Sequence, residues 1–244
     1  MPKKIWAIAA FLLGLFAAVF MTLQGPGYKM GWWEVGFVFF KALPAVVYTG
    51  LAAAVLGLIA LIVRWRTGAG SAVLAVLGIV LALGAASVPV AIRSKAESLP
   101  LIHDITTDIN NPPAFVDAIA VRADAPNPPD YAGAEIAAQQ REAYPDIQTI
   151  RVREAADTVF EAARAVVEEL GWEPIAASPA DGRIEATEVT PWFGFSDDVV
   201  IRIAPGSGVT LVDVRSKSRV GLSDLGVNAD RIRRFRDALL KRLT

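Results

Sequence analysis

The stretch Ser71-Ala-Val-Leu-Ala-Val-Leu-Gly-Ile-Val-Leu-Ala-Leu-Gly-Ala-Ala-Ser-Val-Pro-Val-Ala-Ile92 contains no charged side chain. At about 1.5 Å per residue, a helix of this length covers the ~30 Å hydrocarbon core of a bilayer. Two further charge-free runs, residues 5–23 and 43–63, precede it. The first 92 residues therefore read as an all-α membrane anchor of three transmembrane helices. Everything after Ile92 has the composition of a water-soluble domain.

The composition supports that division. The chain is 54% apolar, too apolar for one ordinary soluble domain. Residues 1–92 hold six basic side chains (Lys3, Lys4, Lys29, Lys41, Arg64, Arg66) and one acid, Glu34. The totals of 24 basic and 25 acidic residues leave 18 and 24 for the remainder, a net charge of −6. An acidic soluble half argues against nucleic acid as a partner, because nucleic-acid binding needs a positive field to displace counterions. Cysteine is absent, so there is no disulfide framework and no thiol chemistry.

Within the anchor, the run at 5–23 follows Lys3 and Lys4 but is long and lacks a small-x-small cleavage site before Gln24, so it reads as an uncleaved span. Lys41 belongs near an interface, since a lysine at mid-bilayer costs roughly 2.5–3.5 kcal/mol. Pro44 then falls in a first helical turn, where a missing N–H does no harm. Trp32, Trp33 and residues 37–40 form an interfacial aromatic belt. Small residues four apart (Ala10/Gly14/Ala18, Gly50/Ala54, Gly78/Ala82/Ala86) are suited to close helix approach. No ionisable residue sits deep in a span, so the spans read as an anchor without an ion pathway. Lys3, Lys4, Arg64 and Arg66 share one side, which places the N-terminus in the cytoplasm. An odd number of spans then exports the C-terminal domain, and the expected location is the cytoplasmic (inner) membrane with a periplasmic domain.

Residues 93–146 carry seven prolines, which favour extended and turn backbone over helix. They also carry Leu99, Leu101, Ile102, Ile105, Phe115, Ile119 and Tyr131, which seek burial. The segment therefore reads as an arm wrapped on the domain rather than a spacer. It contains His103-Asp-Ile-Thr-Thr-Asp108, in which the only histidine of the chain stands beside a carboxylate. On an extended chain adjacent side chains point to opposite faces, so His103 and Asp104 do not form a simple dyad. Asp104 and Asp108 suit Asx-type turns. One histidine and no cysteine give no zinc site, and Asp104, Asp108, Asn110 and Asn111 do not match the spacing of a calcium loop. No metal or cofactor is expected.

Residues 147–244 give strand, helix, four strands, helix. The strands fall at 147–152, 172–177, 183–189, 199–204 and 209–218. Val159, Ala163, Val166, Val167 and Leu170 make one helical stripe. Ile232, Phe235, Leu239 and Leu243 make the other, with Asn228 as the expected cap. Consecutive hairpins form an antiparallel sheet, and both helices bury their stripes on one face of it. The fold class is thus a three-helix transmembrane region followed by an α+β domain, helix-grip-like, with a split β-α-β layout as the alternative. Three aromatics in residues 190–195 sit in a loop and suit a lid on the core, with the bilayer interface or a ligand as other roles.

The last strand alternates. Val212, Val214, Ser216 and Ser218 point one way, and Asp213, Arg215, Lys217 and Arg219 the other. Residues 214–244 hold nine basic and three acidic side chains. Two readings follow. Arg215, Arg219 and Arg231 pair with acids such as Asp104 and Asp108, or they form an anion site for a lipid headgroup or an acidic partner.

His103-Asp-Ile-Thr-Thr-Asp108 with Asn111-Pro-Pro-Ala-Phe115 resembles the opening motif of the domain of unknown function 1499 family. Asp197-Asp-Val-Val-Ile-Arg-Ile203 is similar to its middle motif. Val212-Asp-Val-Arg-Ser-Lys-Ser-Arg-Val-Gly221 and Asp224-Leu-Gly-Val-Asn-Ala-Asp-Arg-Ile232 are similar to its closing one. The resemblance covers most of residues 98–243, leaves the three spans outside, and implies no activity. It does imply that the opening and closing motifs meet in space.

Two functions follow from the sequence. The first is a binding or scaffolding domain held against the bilayer, with an envelope protein or anionic headgroup as partner. The second is a hydrolase with His103 as base, Ser216 or Ser218 as nucleophile, Asp104 and Asp108 nearby, and Arg215 holding an anionic substrate. It requires His103 within hydrogen-bond reach of a serine hydroxyl.

Overall fold

The computed structural model describes residues 4–244; Lys3, one of the two lysines before the first span, lies outside them. The chain divides into two compact units, Met1–Glu97 with Trp192–Gly194, and Ser98–Pro191 with Phe195–Thr244.

In the first unit three helical segments are long and apolar enough to cross a membrane: Ile5–Thr22, Val35–Thr67 and Ala72–Ser98. The first is α1, and a short α2 (Gln24–Lys29) follows it. The second begins eight residues before the expected start. It comprises α3 (Val35–Phe37), a π-helical turn (Val38–Ala42) and α4 (Leu43–Thr67). Pro44 has no N–H to donate, and a widened turn just before it lets the helix continue upstream. The third, α5 (Ala72–Ser98), keeps Pro89 in its interior and runs six residues past Ile92.

Small residues lie inside this bundle and large apolar ones outside, the inverse of a water-soluble core. Ala10, Gly14, Gly50, Ala54, Gly78 and Ala82 are buried, while Leu12, Phe16, Leu51, Leu58, Val80 and Leu83 are exposed. The packing needs the small residues. A Cβ at Gly14 would lie 2.4 Å from the Gly78 carbonyl oxygen, and one at Gly78 would lie 2.6 Å from the Ala10 carbonyl carbon. Such backbone approach is how helices associate where no hydrophobic force separates them from lipid. Phe193 belongs to this unit as well. Its ring packs 6.4 Å from Tyr28 and 5.7 Å from Phe39, so it is not a lid on the core of the sheet.

The second unit is an α+β domain. Its sheet has the order β1-β6-β5-β4-β3, with β2 also on β6. The strands are β1 (Asp104–Thr106), β2 (Ile150–Val152), β3 (Glu173–Ser178), β4 (Arg183–Val189), β5 (Ser196–Pro205) and β6 (Thr210–Ser218). Every pairing is antiparallel. Helices α8 (Ala156–Glu169) and α9 (Val227–Leu243) cover one face, the helix-grip-like arrangement. Their stripes (Val159, Ala163, Val166, Ile232, Phe235, Leu239) meet Ile184, Ile201, Val212 and Val214 in one core, and Trp172 stacks on Phe235 at 5.9 Å. Gly182 closes the β3–β4 turn with φ +59°, where a Cβ would collide with the Ile203 carbonyl oxygen.

The segment before Ile147 contributes β1, a one-turn α6 (Ala118–Val121) and α7 (Ala134–Ala143). β1 pairs with β6 in the register Asp104↔Lys217, Ile105↔Ser216, Thr106↔Arg215. The opening and closing motifs are therefore neighbouring strands. The outer edge of β1 is closed by the Gln140 side chain, whose amide donates to the Thr106 carbonyl (2.6 Å) and accepts from the Thr106 N–H (2.9 Å). Residues 113–131 pack on the second face of the sheet, where Phe115 and Ala118 bury against Val200.

Candidate functional site

Alternation along β6 feeds two ionic layers, one on each face of the sheet. Ser216 and Ser218 point toward the helices, while Arg215 and Lys217 point toward residues 113–131. Adjacent Asp197 and Asp198 on β5 divide in the same way, since Asp197 pairs with Ser218 and Asp198 with Lys217.

On the helix side Arg231 is fully buried. It donates to Asp197 Oδ2 at 2.6 Å, to Ser216 Oγ at 3.0 Å, and to Glu188 and Asn228. Asn228 in turn accepts from Ser216 Oγ (2.6 Å) and donates to Ser218 Oγ (3.0 Å) and the His103 carbonyl (3.1 Å). Asn228 therefore does not cap α9. The Asp224 carboxylate takes the orphan N–H groups of Gly226 (2.8 Å) and Asn228 (2.7 Å) instead, which leaves the Asn228 amide free to bind the strands.

On the other side Asp104 holds two cations. Arg215 donates to both its oxygens at 2.8 Å, and Lys217 to Oδ2 at 2.9 Å. Further donors go to backbone carbonyls: Arg215 to Pro113 and Pro129, Lys217 to Asp130. The Arg215 guanidinium also lies over the rings of Phe115 (4.9 Å) and Tyr131 (5.4 Å). Asp198 is likewise shared, by Arg122 (2.6 Å) and Arg219 (2.8 and 2.9 Å), with Thr187 donating a further bond. At the rim of this layer Arg202 bridges Asp108 (3.0 Å) and Asp213 (2.8 Å).

The sequence-predicted residues are thus placed as follows. Asp104, Arg215 and Lys217 come together, and Asp104 is a strand residue rather than the head of an Asx turn. Asp108 does make such a turn, accepting from the N–H groups of Asn110 and Asn111. Arg219 lies on Asp198, and Arg231 lies on Asp197 and Glu188. The His103 ring contacts the Leu222 carbonyl at 3.3 Å and makes no hydrogen bond to Ser216 or Ser218 among the described residues. The two serines are buried on Asn228. Among the described residues no group of three or more His, Cys, Asp or Glu converges on a point that would hold a metal ion.

The basic run that looked like an anion surface is largely neutralised. On α9, Arg233 pairs with Asp146 and Asp230, Arg234 with Glu188, Arg236 with Asp237 and Arg242 with Glu169. Arg122 and Asp198 escape a sequence reading as site residues, as do Glu185, which accepts from the Val116 (2.9 Å) and Ala118 (2.7 Å) N–H groups, and Asn127, which donates to the Ser218 (3.1 Å) and Gly221 (2.9 Å) carbonyls. The one available signal was the arginine ending the otherwise apolar run Ala118-Ile-Ala-Val-Arg122.

The family model for a protein of unknown function, DUF1499, matches residues 104–239. The chain belongs to this family. The match begins at the first residue of β1 and ends inside α9, so the DUF1499 domain includes the segment that covers the second face of the sheet. No curated protein matches the chain.

The electrostatics of the DUF1499 domain set its acid behaviour. Burial on its own raises the Asp198 carboxyl, but hydrogen bonds from Arg219, Thr187 and Arg122 outweigh it and hold the group below the usual carboxylate range. Glu188 is only partly buried; burial raises it as well, but Arg234 and Arg231 hold it down. Both bind fewer protons folded than unfolded, so their stabilisation is complete above about pH 4 and is lost as pH falls through their folded values. Asp224 has the opposite sign: burial outweighs its two backbone bonds and raises it, so its contribution grows as pH falls. The melting midpoint of the detergent-solubilised chain should hold from about pH 8 to 5 and drop below about pH 4. A steady fall beginning at neutral pH would count against these carboxylates as the titrating groups.

Proposed function

We propose that this chain is a membrane-anchored binding or scaffolding protein, with three spans in the cytoplasmic membrane and the DUF1499 domain presented on its outer face. The observation that carries the reading is how the polar side chains most suited to chemistry are used. Asp104, Asp108, Ser216, Ser218 and Arg231 each bind another part of the same domain, and together they rigidify a scaffold. Rigid elements with satisfied polar groups are what a binding surface is built on. The partner is an envelope protein or another acidic group near the bilayer. A surface attraction to headgroups alone is less favoured, because the arginines of α9 are paired with acids of the chain itself.

The orientation rests on charge. Arg64 and Arg66 occupy the last turn of α4 and share a side with Lys4, and basic residues in short loops favour the cytoplasm. A phosphatase fused after Thr244 should be active, and one fused after Arg66 inactive. The reverse pattern would place the domain in the cytoplasm. Cross-linking in intact cells should then capture a discrete envelope partner through the domain. Capture of phospholipid alone would end the protein-partner reading.

A further inference from the structure

Two large apolar side chains of the α+β domain stand far outside its core. Leu101 is 67% and Leu222 75% exposed, the highest values among the large apolar residues described in that unit. They sit on neighbouring loops. Ser223 Oγ donates to the Pro100 carbonyl (3.4 Å), the Asp224 N–H donates to the Ile102 carbonyl (3.2 Å), and the His103 ring contacts the Leu222 carbonyl (3.3 Å). The backbone beside Leu101 is thus pinned to the backbone beside Leu222. Leu225, in the same loop, has φ +53°, a left-handed value uncommon outside glycine. Its N–H donates to Ser223 Oγ (3.3 Å), and Asp224 holds the N–H groups of Gly226 and Asn228. The loop that carries Leu222 therefore has a fixed shape.

Single exposed leucines are ordinary; the place of this pair in the chain gives it meaning. The chain passes between the two units at Glu97–Ser98 and on either side of Trp192–Gly194. β1 begins, β4 ends and β5 begins at one end of the sheet, where β6 also ends. Every passage therefore adjoins the end that carries Leu101 and Leu222. α5 continues six residues past Ile92, a rise of about 9 Å. Leu101 follows three residues later, at most ~11 Å further on. The covalent tether alone keeps it within reach of the headgroup layer.

Charge describes the contact. Asn127 joins residues 122–131 to the same end by donating to the Ser218 and Gly221 carbonyls, and that segment carries exposed Asp124 and Asp130. Those acids oppose an ionic attraction to anionic headgroups, so apolar contact is left. We propose that Leu101 and Leu222 form a two-residue foot that enters the headgroup boundary of the bilayer and holds the DUF1499 domain against lipid. This goes beyond the scaffolding reading, rests on its three spans lying in a bilayer, and holds whichever side of the membrane carries the domain.

The test uses the full chain in phosphatidylcholine nanodiscs. Cysteine is absent, so Leu101→Cys, Leu222→Cys, Ser207→Cys and Val80→Cys each place one fluorophore. Ser207 is exposed in the β5–β6 turn at the opposite end of the sheet, and Val80 is exposed on α5. Lipid carrying a nitroxide near the top of its acyl chains should remove most of the emission at 80, 101 and 222 and little at 207, since apolar insertion reaches roughly 5–10 Å into the headgroup boundary. Leu101→Asp should release the 222 reporter to water and leave the melting midpoint in detergent unchanged. Raising the salt should change none of this, because no surface charge drives the contact. An unquenched 222 reporter beside a quenched 80 reporter would overturn the foot and leave the anchor standing, and capture of a protein through position 222 in cells would then assign the patch to that protein. An unquenched 80 reporter would overturn both. Equal quenching at 207, quenching at 222 that survives Leu101→Asp, or a requirement for anionic lipid or low salt would each overturn the foot as well.

Discussion

A chain that begins at Ile147 is expected not to fold, although residues 147–244 hold five of the six strands and both long helices. The missing residues carry Ile102, Ile105, Phe115 and Tyr144, all buried at 5% exposure or less. Burial of a large apolar side chain contributes roughly 1.5–3 kcal/mol, so four of them approach about 6–12 kcal/mol as an upper bound. A domain of this size has only about 5–15 kcal/mol in hand. Removal would also strip Asp104 from Arg215 and Lys217, Arg122 from Asp198, and β1 from the edge of β6. Circular dichroism of residues 98–244 against residues 147–244 decides the matter. A cooperative melt of the shorter chain at the same temperature would show that the amino-terminal segment is only a covering.

That expectation marks where the sequence was legible. Periodicity finds α8, α9 and the β3–β6 meander within a few residues, because amphipathic stripes and alternating strands leave a local signature. β1 left none. Three residues, Asp104–Thr106, are too short for a period, and their pairing partner lies more than a hundred residues away. The covering of the second face has the same origin: alternation along β6 correctly splits Arg215 and Lys217 from Ser216 and Ser218, yet whether a polar face meets water or another segment is a tertiary fact. Proline content pointed to extended backbone, and the apolar residues among the prolines pointed to burial, which Ile102, Ile105 and Phe115 follow while Leu101 (67%) and Ile119 (50%) stay exposed. The carbonyls of Pro113, Pro129 and Asp130 show why such a segment suits the task, since backbone outside regular structure has acceptors free for buried cations.

The helix ends show a second limit. Asn228 sits where a cap is expected, but Asp224 satisfies the first turn of α9 from inside the preceding loop, and a capping preference cannot rank two candidates four residues apart. In the membrane unit Pro44 suggested a helix start. The π-helical turn just upstream lets the helix pass the proline instead, a solution written in backbone geometry rather than residue type.

Asp104→Ala is expected to be the most damaging single substitution in the domain. Two cations, Arg215 and Lys217, lie at 2% exposure with this carboxylate between them. Removing one partner of a buried pair typically costs about 3–5 kcal/mol, because the other charge stays desolvated. Burial already pushes the Lys217 ammonium below the usual lysine value, with Asp104 restoring only part of it. Without Asp104, Lys217 escapes the penalty by releasing its proton while Arg215 cannot. The folded state then binds fewer protons than the unfolded one below about pH 10, so the variant should regain stability as pH rises from 7 toward 9. Adding Lys217→Met to Asp104→Ala should recover part of the loss at pH 7 and remove most of that pH dependence, since an apolar replacement of a buried ion needs no counter-charge. Denaturation midpoints of the detergent-solubilised chain, measured for both variants at the two pH values, read these effects. A loss below about 1 kcal/mol for Asp104→Ala, the range of exposed ion pairs, would mean that water reaches this layer and that the second face of the sheet is open.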